Sequence, residues 1–214
     1  MADDQLKIFR PFGPSVAKVT IPENLINNLN NYVDQTIKDE EKIDDLNVGN
    51  KLAGNVKQEF KLEPKFVEKS GLLNFLGESV TRWILMSERK KIQKFNVSSS
   101  WVVRQFENEY NPLHLHGGHI SGVGYLKLPN NFGETFQKNK TNNYNGKIAL
   151  VHGAQMFNCN STFNVQPKVG DFYFFPNYLL HTVYPFYNSN EERRSISFNA
   201  TIDENIYNTY NTYG

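Results

Sequence analysis

The chain has 214 residues, 39% hydrophobic and 21% charged, which suffices for one domain with a sizeable core and is too short for two ordinary ones. With 23 Lys and Arg against 22 Asp and Glu, its formal net charge of +1 gives no attraction to nucleic acid or anionic membranes. There is no apolar run near the roughly 20 residues of a bilayer span and no secretory-type opening, so we expect a cytoplasmic protein. A single cysteine, Cys159, excludes disulfide-stapled scaffolds and multi-thiolate zinc sites.

Helical periodicity dominates the first hundred residues. Apolar side chains recur at helical intervals over 22–38, after a capping-box spacing that starts at Thr20. A second amphipathic pattern covers 71–92, and a weaker one covers 50–60. We therefore expect residues 1–95 to form mostly helical cladding.

After residue 96 the pattern changes to strand-like alternation, interrupted by Asn-Pro, Gly-Gly and Asn-Gly turn pairs. About seven short strands at this spacing suggest a β-sandwich or jelly roll. No linker or repeat divides the chain, so we predict one domain, 1–214, of α+β, mainly β class, with its core in 96–202. The predicted strands are 99–106, 113–116, 119–128, 147–152, 171–175 and 192–202.

Two histidines in a short extended segment are separated by a single residue. In a strand, His114 and His116 share one face while Leu113 and Leu115 point the other way. Two neutral imidazoles that converge from one strand can hold a divalent transition metal. A His-x-His pair alone is weak evidence for a metal site, because surface histidines also pair by chance.

A third histidine stands farther along the chain. His181 follows the turn at Gly170 and the apolar segment 171–175, so we expect it at the end of a buried element rather than in open solvent. A ligand from a distant strand is what a metal site in a jelly roll requires.

The segment that begins at Arg193 is predicted to be a strand, in which Arg193 and Arg194 face opposite sides. One guanidinium then points inward, where it can hold a carboxylate through two hydrogen bonds. For Arg194 we expect a solvent position, paired with Glu191 and Glu192.

These elements occur together in a fixed order over residues 101–200, and the ordered set is more specific than any one of them. The elements are His114-x-His116, Ser121-Gly-Val-Gly-Tyr125-Leu126, Gly170-Asp-x-x-x-Phe175-Pro176, His181 and Arg193-x-Ser-Ile-Ser-Phe198. The set resembles the iron(II)- and 2-oxoglutarate-dependent oxygenases, in particular a poorly characterised phage and marine-bacterial branch.

The resemblance implies a double-stranded β-helix, or jelly roll, with flanking N-terminal helices. It also implies Fe(II) and 2-oxoglutarate as cofactors, with hydroxylation of an unknown small-molecule or peptide substrate and release of succinate and CO2. His114 and His181 would be metal ligands. Arg193 would bind the distal carboxylate of 2-oxoglutarate, and Tyr125 would hydrogen-bond the same group.

The sequence departs from the family pattern at the second ligand. Where the superfamily usually has a carboxylate, this chain has His116, followed by Gly117 where the branch usually has proline. Three imidazoles leave the same number of open metal positions as two histidines and a carboxylate, with one fewer negative charge. We take His116 as the third ligand.

An alternative keeps His116 or His119 outside the metal's direct ligands and completes the site with a carboxylate. The candidate carboxylates are Glu107, Glu109 and Asp171. For Asp171 we prefer a role as a turn residue beside Gly170. We place His119 at the cavity rim and His152 packed in a strand.

Two other functions compete with the oxygenase. A cupin-type metal protein also places His-x-His and a later His in one barrel, but normally adds a glutamate shortly after the pair, and 117–125 contains no acidic residue. A structural barrel without a metal would account for the missing carboxylate. The position of Arg193 after His181 favours the oxygenase.

Overall fold

The computed structural model describes residues 6–9, 13–135, 137 and 139–208. Within these residues the helices are α1 (Glu23–Thr36), α2 (Glu40–Leu46), α3 (Pro64–Lys69), α4 (Leu72–Glu88) and α5 (Glu204–Tyr207), with a short 3-10 helix at Gly49–Lys51. The strands are β1 (Lys7–Phe9), β2 (Val16–Thr20), β3 (Gln58–Lys61), β4 (Phe95–Gln105), β5 (Asn111–His114), β6 (Ile120–Lys127), β7 (Ile148–Val151), β8 (Thr162–Val165), β9 (Asp171–Pro176), β10 (Leu180–Val183) and β11 (Arg193–Ile202).

The strands form two antiparallel sheets. The large sheet has the order β1-β2-β9-β6-β11-β4-β3, and the small sheet has the order β5-β10-β7-β8. Side chains of both sheets share one apolar cluster, in which Val123 and Tyr125 of the large sheet join Ile148 and Leu150 of the small one. The two sheets therefore face each other, and the fold is the expected double-stranded β-helix.

The helices cover the outer face of the large sheet. Leu25 and Leu29 of α1, with Leu76 and Trp83 of α4, join the larger apolar cluster on that face. Trp83 is nearly fully buried, and its indole Nε1 donates a hydrogen bond to Ser15 Oγ at 3.0 Å. The apolar stripe of each helix packs on the sheet, as the helical spacing predicts. None of the helices in the described ranges is long and apolar enough to cross a membrane.

The predicted helices at 22–38 and 71–92 are confirmed as α1 and α4. The predicted cap of α1 is wrong, because Thr20 belongs to β2 and the residue before the helix is Pro22, without a side-chain cap. The helix predicted from the weak pattern over 50–60 is also wrong. That region contains the 3-10 helix and the start of β3, which is held by pairing with β4 rather than by local propensity.

All six predicted strands are present, with ends shifted by up to four residues. The shift matters at β5, which ends at His114 and leaves His116 in the following loop. Sequence patterns did not reveal β1, β2, β3, β8 and β10, each three to five residues long. Such short segments carry too few alternations to be recognised.

The expected solvent position of Arg194 is wrong. Arg194 is 1% exposed, because α1 lies over the part of the large sheet that carries it. Its Nε donates to Glu192 at 2.6 Å and its Nη2 to Asp34 of α1 at 2.7 Å. The pairing with Glu192 is confirmed, whereas Glu191 instead accepts hydrogen bonds from Asn130.

Glu192 is the centre of this buried ion-pair network, since Arg104 also donates to its carboxylate at 2.9 Å. Burial alone would raise the pKa of Glu192, but the hydrogen bonds from Arg194 and Arg104 hold it below its usual value. The Glu192 carboxylate therefore joins β4 to β11, and Arg194 extends the network to Asp34 of α1.

We expect Glu192→Ala to lower the free energy of unfolding by about 3–5 kcal/mol, because it leaves two guanidinium groups without their shared partner. Urea unfolding measures the change. The control is Glu191→Ala at the neighbouring exposed carboxylate, for which we expect about 0–1 kcal/mol. Equal losses in the two variants would contradict the role of the network.

Candidate metal centre

Three histidines converge between the two sheets. The antiparallel pairing of β5 with β10 sets His114 directly opposite His181. His116, from the loop after β5, completes a group whose ligand atoms all lie within 4.8 Å of one another. The three predicted metal ligands are thus brought together, and one of them, His181, is only 4% exposed.

Backbone carbonyl groups orient two of the imidazoles. His114 Nδ1 lies 2.7 Å from the carbonyl oxygen of Pro112, and His181 Nδ1 lies 3.0 Å from that of Leu179. Because a carbonyl oxygen only accepts hydrogen bonds, each Nδ1 must be the donor, and each Nε2 keeps its lone pair for a ligand. This arrangement is typical of metal-binding histidines.

The third imidazole is held through its backbone. His116 N donates to the carbonyl oxygen of Asn177 at 3.1 Å, and the Asn177 side-chain amide donates to the carbonyl oxygen of His116, also at 3.1 Å. The ring of His116 packs against that of Trp101, with 5.6 Å between the ring centroids. These contacts fix His116 although it lies outside the strand.

The nitrogen positions and protonation of the cluster fit a transition metal. His116 Nε2 and His181 Nε2 are 3.1 Å apart, close to the separation of about 3.0 Å for two imidazole nitrogens bound at right angles at about 2.1 Å. Burial lowers the pKa of His116 to about 4 and of His181 to about 3, and the charge of His114 adds to both effects. Both rings are therefore neutral at neutral pH, as metal binding requires.

Arg193 is buried in the same region without a counter-charge. It is 1% exposed, and its Nη1 donates to Gln105 Oε1 at 3.1 Å and to Ser195 Oγ at 3.4 Å. Its Nε and Nη2 have no hydrogen-bond partner among the described residues. A buried charge left unpaired in this way is costly, and two free donors on one guanidinium match a ligand carboxylate.

Tyr125 lies against Arg193, with the guanidinium carbon 5.1 Å from the centre of the phenol ring. The residue is fully buried, and its hydroxyl has no hydrogen-bond partner of normal geometry within the described part of the chain. Burial raises the pKa of Tyr125 to about 12, while the charge and the guanidinium N–H groups of Arg193 oppose the rise. Tyr125 therefore places a neutral hydroxyl beside Arg193.

One cavity connects these groups. It has a volume of about 220 Å³ and lies between the sheets, with the three histidines and Arg193 in its wall. Tyr125 is not among the lining residues and packs against Arg193. A metal bound by the imidazoles and a carboxylate bound by Arg193 would therefore share one cavity.

Two other histidines lie elsewhere. The expected place of His119 at the cavity rim is wrong, because it is buried, accepts a hydrogen bond from Ile202 N at 3.0 Å and stacks on Tyr207 at 3.9 Å. His152 is exposed just after β7, so its expected packing in a strand is wrong.

The three candidate carboxylates are engaged away from the histidine cluster. Glu107 accepts from Asn188 N, and Glu109 accepts from the backbone N–H groups of Lys57 and Phe106. Asp171 opens β9 and pairs with Lys18 at 2.6 Å. None of the three belongs to the metal-competent group formed by the described residues.

Glu59 of β3, which no sequence pattern identified, also lines the cavity. Glu59 is fully buried, and neither carboxylate oxygen has a hydrogen-bond partner of normal geometry among the described residues. Burial raises its pKa to about 7, the amide of Asn111 opposes the rise, and the charge of Glu109 adds to it. Only the alternation Gln58-Glu59-Phe60-Lys61 could have revealed a strand here, and four residues are too few to show it.

Comparison with known proteins agrees with this geometry. Residues 99–199 match a protein-family model described as "Putative 2OG-Fe(II) oxygenase". The matched segment contains the three histidines, Tyr125 and Arg193. Among proteins of curated function, no sequence matches the chain significantly.

Solved structures with a similar fold include several prolyl hydroxylases. The viral collagen prolyl hydroxylase of Paramecium bursaria Chlorella virus-1, in its 2OG complex, is 14% identical, with a TM-score of 0.54 over 86% of this chain and 94% of that one. A Pseudomonas putida prolyl-4-hydroxylase is 16% identical, with a TM-score of 0.55 over 86% and 91%. A Trichoplax adhaerens prolyl hydroxylase in complex with a hypoxia inducible factor peptide fragment is 12% identical, with a TM-score of 0.54 over 91% and 86%.

The raised pKa of Glu59 predicts that stability falls as the pH rises. Between its ordinary value of 4.5 and about 7, Glu59 ionises in the unfolded chain but stays protonated in the folded protein. Ionisation of the unfolded chain lowers the free energy of unfolding by about 3 kcal/mol by the upper end of this range. We expect Glu59→Gln to match the wild type near pH 4 and to exceed its unfolding free energy by that amount near pH 8.

Urea unfolding across this pH range measures the effect. Glu78→Gln on the exposed face of α4 is the matched control, and it should leave the pH dependence unchanged. A wild-type protein and a Glu59→Gln variant with parallel pH profiles would contradict the assignment.

Proposed function

We propose that this protein is an iron(II)- and 2-oxoglutarate-dependent dioxygenase that hydroxylates a C–H bond of its substrate, a proposal supported by the family-model match over residues 99–199. The observation that carries this proposal is one cavity lined by three closely spaced histidines and by a buried guanidinium whose Nε and Nη2 have no hydrogen-bond partner of normal geometry among the described residues. A metal site without the guanidinium, or the guanidinium without the metal site, would support a different function.

In this proposal His114, His116 and His181 hold iron(II). Their close spacing fits the ion, the lowered pKa values of His116 and His181 keep those two rings neutral, and an all-imidazole set leaves positions open for further ligands. The carbonyl groups of Pro112 and Leu179 keep two of the rings in the ligand-competent tautomer.

Arg193 holds the distal carboxylate of 2-oxoglutarate in the same proposal. Nε and Nη2 would each donate a hydrogen bond to the carboxylate. Gln105 and Ser195 hold the guanidinium in place by accepting hydrogen bonds from Nη1. The Tyr125 hydroxyl supplies a further donor near this position. A bound carboxylate would satisfy polar groups that are otherwise buried without partners.

The bound cofactors supply the chemistry, in which oxidative decarboxylation of 2-oxoglutarate to succinate and CO2 is coupled to hydroxylation of the substrate by the second atom of dioxygen. The residues of this chain position the reactants and exclude water. Phe175 packs edge-on against His181, and Val183 and Ile148 complete an apolar wall of the cavity. No separate acid or base of the protein is required.

Anaerobic titration with iron(II) and 2-oxoglutarate tests the proposed function. We expect the wild type to show the visible charge-transfer band of the chelated cosubstrate. His181→Ala should abolish iron binding, and Arg193→Met should keep iron binding while weakening 2-oxoglutarate binding by about 100-fold or more, because the carboxylate loses its buried charged partner.

The matched control is Arg82→Met, which removes an exposed arginine of α4 and should change neither measurement. Circular dichroism establishes that each variant is folded. Iron binding without the band would favour the cupin-type metal protein, and binding of neither component would favour a structural barrel.

Replacing His116 tests whether it is a metal ligand. His116→Ala should weaken iron binding by at least about tenfold, whereas His116→Asp should retain or improve it, because a carboxylate at this place restores the negative charge of the more common ligand set. Equilibrium iron binding under anaerobic conditions gives the affinities, with His152→Ala at an exposed position as the control. Unchanged affinity in His116→Ala would exclude His116 from the metal's ligands.

A further inference from the structure

Glu59 lies on the cavity face of the large sheet. In the registers of β3, β4 and β11, Glu59 pairs with Val103, and Val103 pairs with Ser195. Val103 and Ser195 also line the cavity, whereas the next residue on β3, Phe60, points into the apolar cluster under the helices. Glu59 therefore sits two strands to the side of β11, roughly 10 Å away at the usual strand spacing, on the same wall as Arg193.

A second buried carboxyl group, that of Glu109, lies close enough to Glu59 for its charge to raise the pKa of Glu59. Glu109 is also buried, and its oxygens accept hydrogen bonds from the backbone N–H groups of Lys57 and Phe106. The ion pairs found in the described residues include neither Glu59 nor Glu109. Among the described residues, only the Asn111 amide acts as a donor toward the Glu59 carboxyl group, and it does so without normal hydrogen-bond geometry. Buried carboxyl groups are normally paired or well hydrogen-bonded, so a fully buried one in a cavity wall with this incomplete environment indicates a missing ligand group.

We propose that Glu59 is a substrate-binding residue whose carboxylate pairs with a protonated amine or guanidinium group of the substrate. The proposal rests on the proposed function, since it assigns the substrate of the same cavity. Glu59 is not a fourth metal ligand, because the group of closely spaced ligand atoms contains the three histidines alone among the described residues.

A cationic substrate group would stabilise the Glu59 carboxylate better than a neutral group would. An amide or hydroxyl would supply hydrogen bonds to Glu59, but a cation would also offset the repulsion between Glu59 and Glu109. The raised pKa of Glu59 agrees with this role, because a carboxyl group that ionises near neutral pH is readily converted to the charged form by a cationic partner.

The surrounding side chains fit a slender aliphatic stem that ends in the cation. Leu52, Ala53 and Trp101 line the cavity beside Glu59 and offer apolar contacts. Lys51 lines it as well, but its side chain is exposed, so water and salt screen its charge. The wall therefore favours a lysine-like or arginine-like group over an acidic one.

The test compares probes that differ in charge. N-acetyl-lysine amide and N-acetyl-arginine amide are titrated calorimetrically into the protein, with N-acetyl-norleucine amide and N-acetyl-glutamate amide as the neutral and acidic analogues. Binding is measured anaerobically, with and without iron(II) and 2-oxoglutarate. We expect at least one cationic probe to bind at least about tenfold more tightly than both analogues.

Glu59→Gln should remove this preference while keeping the iron(II)–2-oxoglutarate charge-transfer band, and Glu78→Gln should keep both. Equal binding of the cationic and neutral probes, tighter binding of the acidic one, or no binding of any probe would overturn the proposal. So would a cationic preference that survives in Glu59→Gln. Loss of the band in the wild type would instead overturn the proposed function, so the two failures are distinguishable.

Discussion

The candidate site depends on one constraint, the antiparallel pairing of β5 with β10. That register sets His114 directly opposite His181, although the two residues are 67 positions apart in the sequence. Strand alternation then turns both imidazoles to the same face, toward the large sheet. A shift of one residue in this register would send one of the two rings to the outer face, so the geometry of the metal centre is a property of the sheet rather than of the histidines themselves.

The groups opposite the histidines are held at a cost to stability. Among the described residues, Arg193 and Glu59 are buried without counter-charges, and the Tyr125 hydroxyl is buried without a hydrogen-bond partner of normal geometry. In a purely structural core such groups would be replaced by apolar ones or paired, as Arg194 is with Glu192 and Asp34. The two adjacent arginines show how the two faces of the sheet differ. On the outer face, the charge of Arg194 is paired within the protein, whereas on the cavity face the charge of Arg193 has no charged partner among the described residues.

The sequence predicted the parts of the site that depend on local pattern and family motif. Alternation placed His114 and Arg193 on cavity-facing sides of strands, and the helical spacing of α1 and α4 was sufficient to locate both helices. It could not predict the burial of Arg194, which depends on a helix 160 residues away in the chain (194 − 34). Nor could it identify Glu59, because β3 exists only through its pairing with β4.

The site residues that the sequence predicted and those that it did not predict lie in different parts of the cavity wall. The residues proposed to hold the metal and the cosubstrate all lie in the segment 99–199 that matches the family model. Glu59 and the residues beside it at 51–53 lie outside that segment, on the edge strand and loop that close one side of the cavity. The family motif therefore locates the histidines and Arg193, whereas the wall proposed to select the substrate comes from a region without a recognisable motif. Substrate chemistry in such a fold has to be inferred from unpaired buried groups, because no sequence pattern marks them.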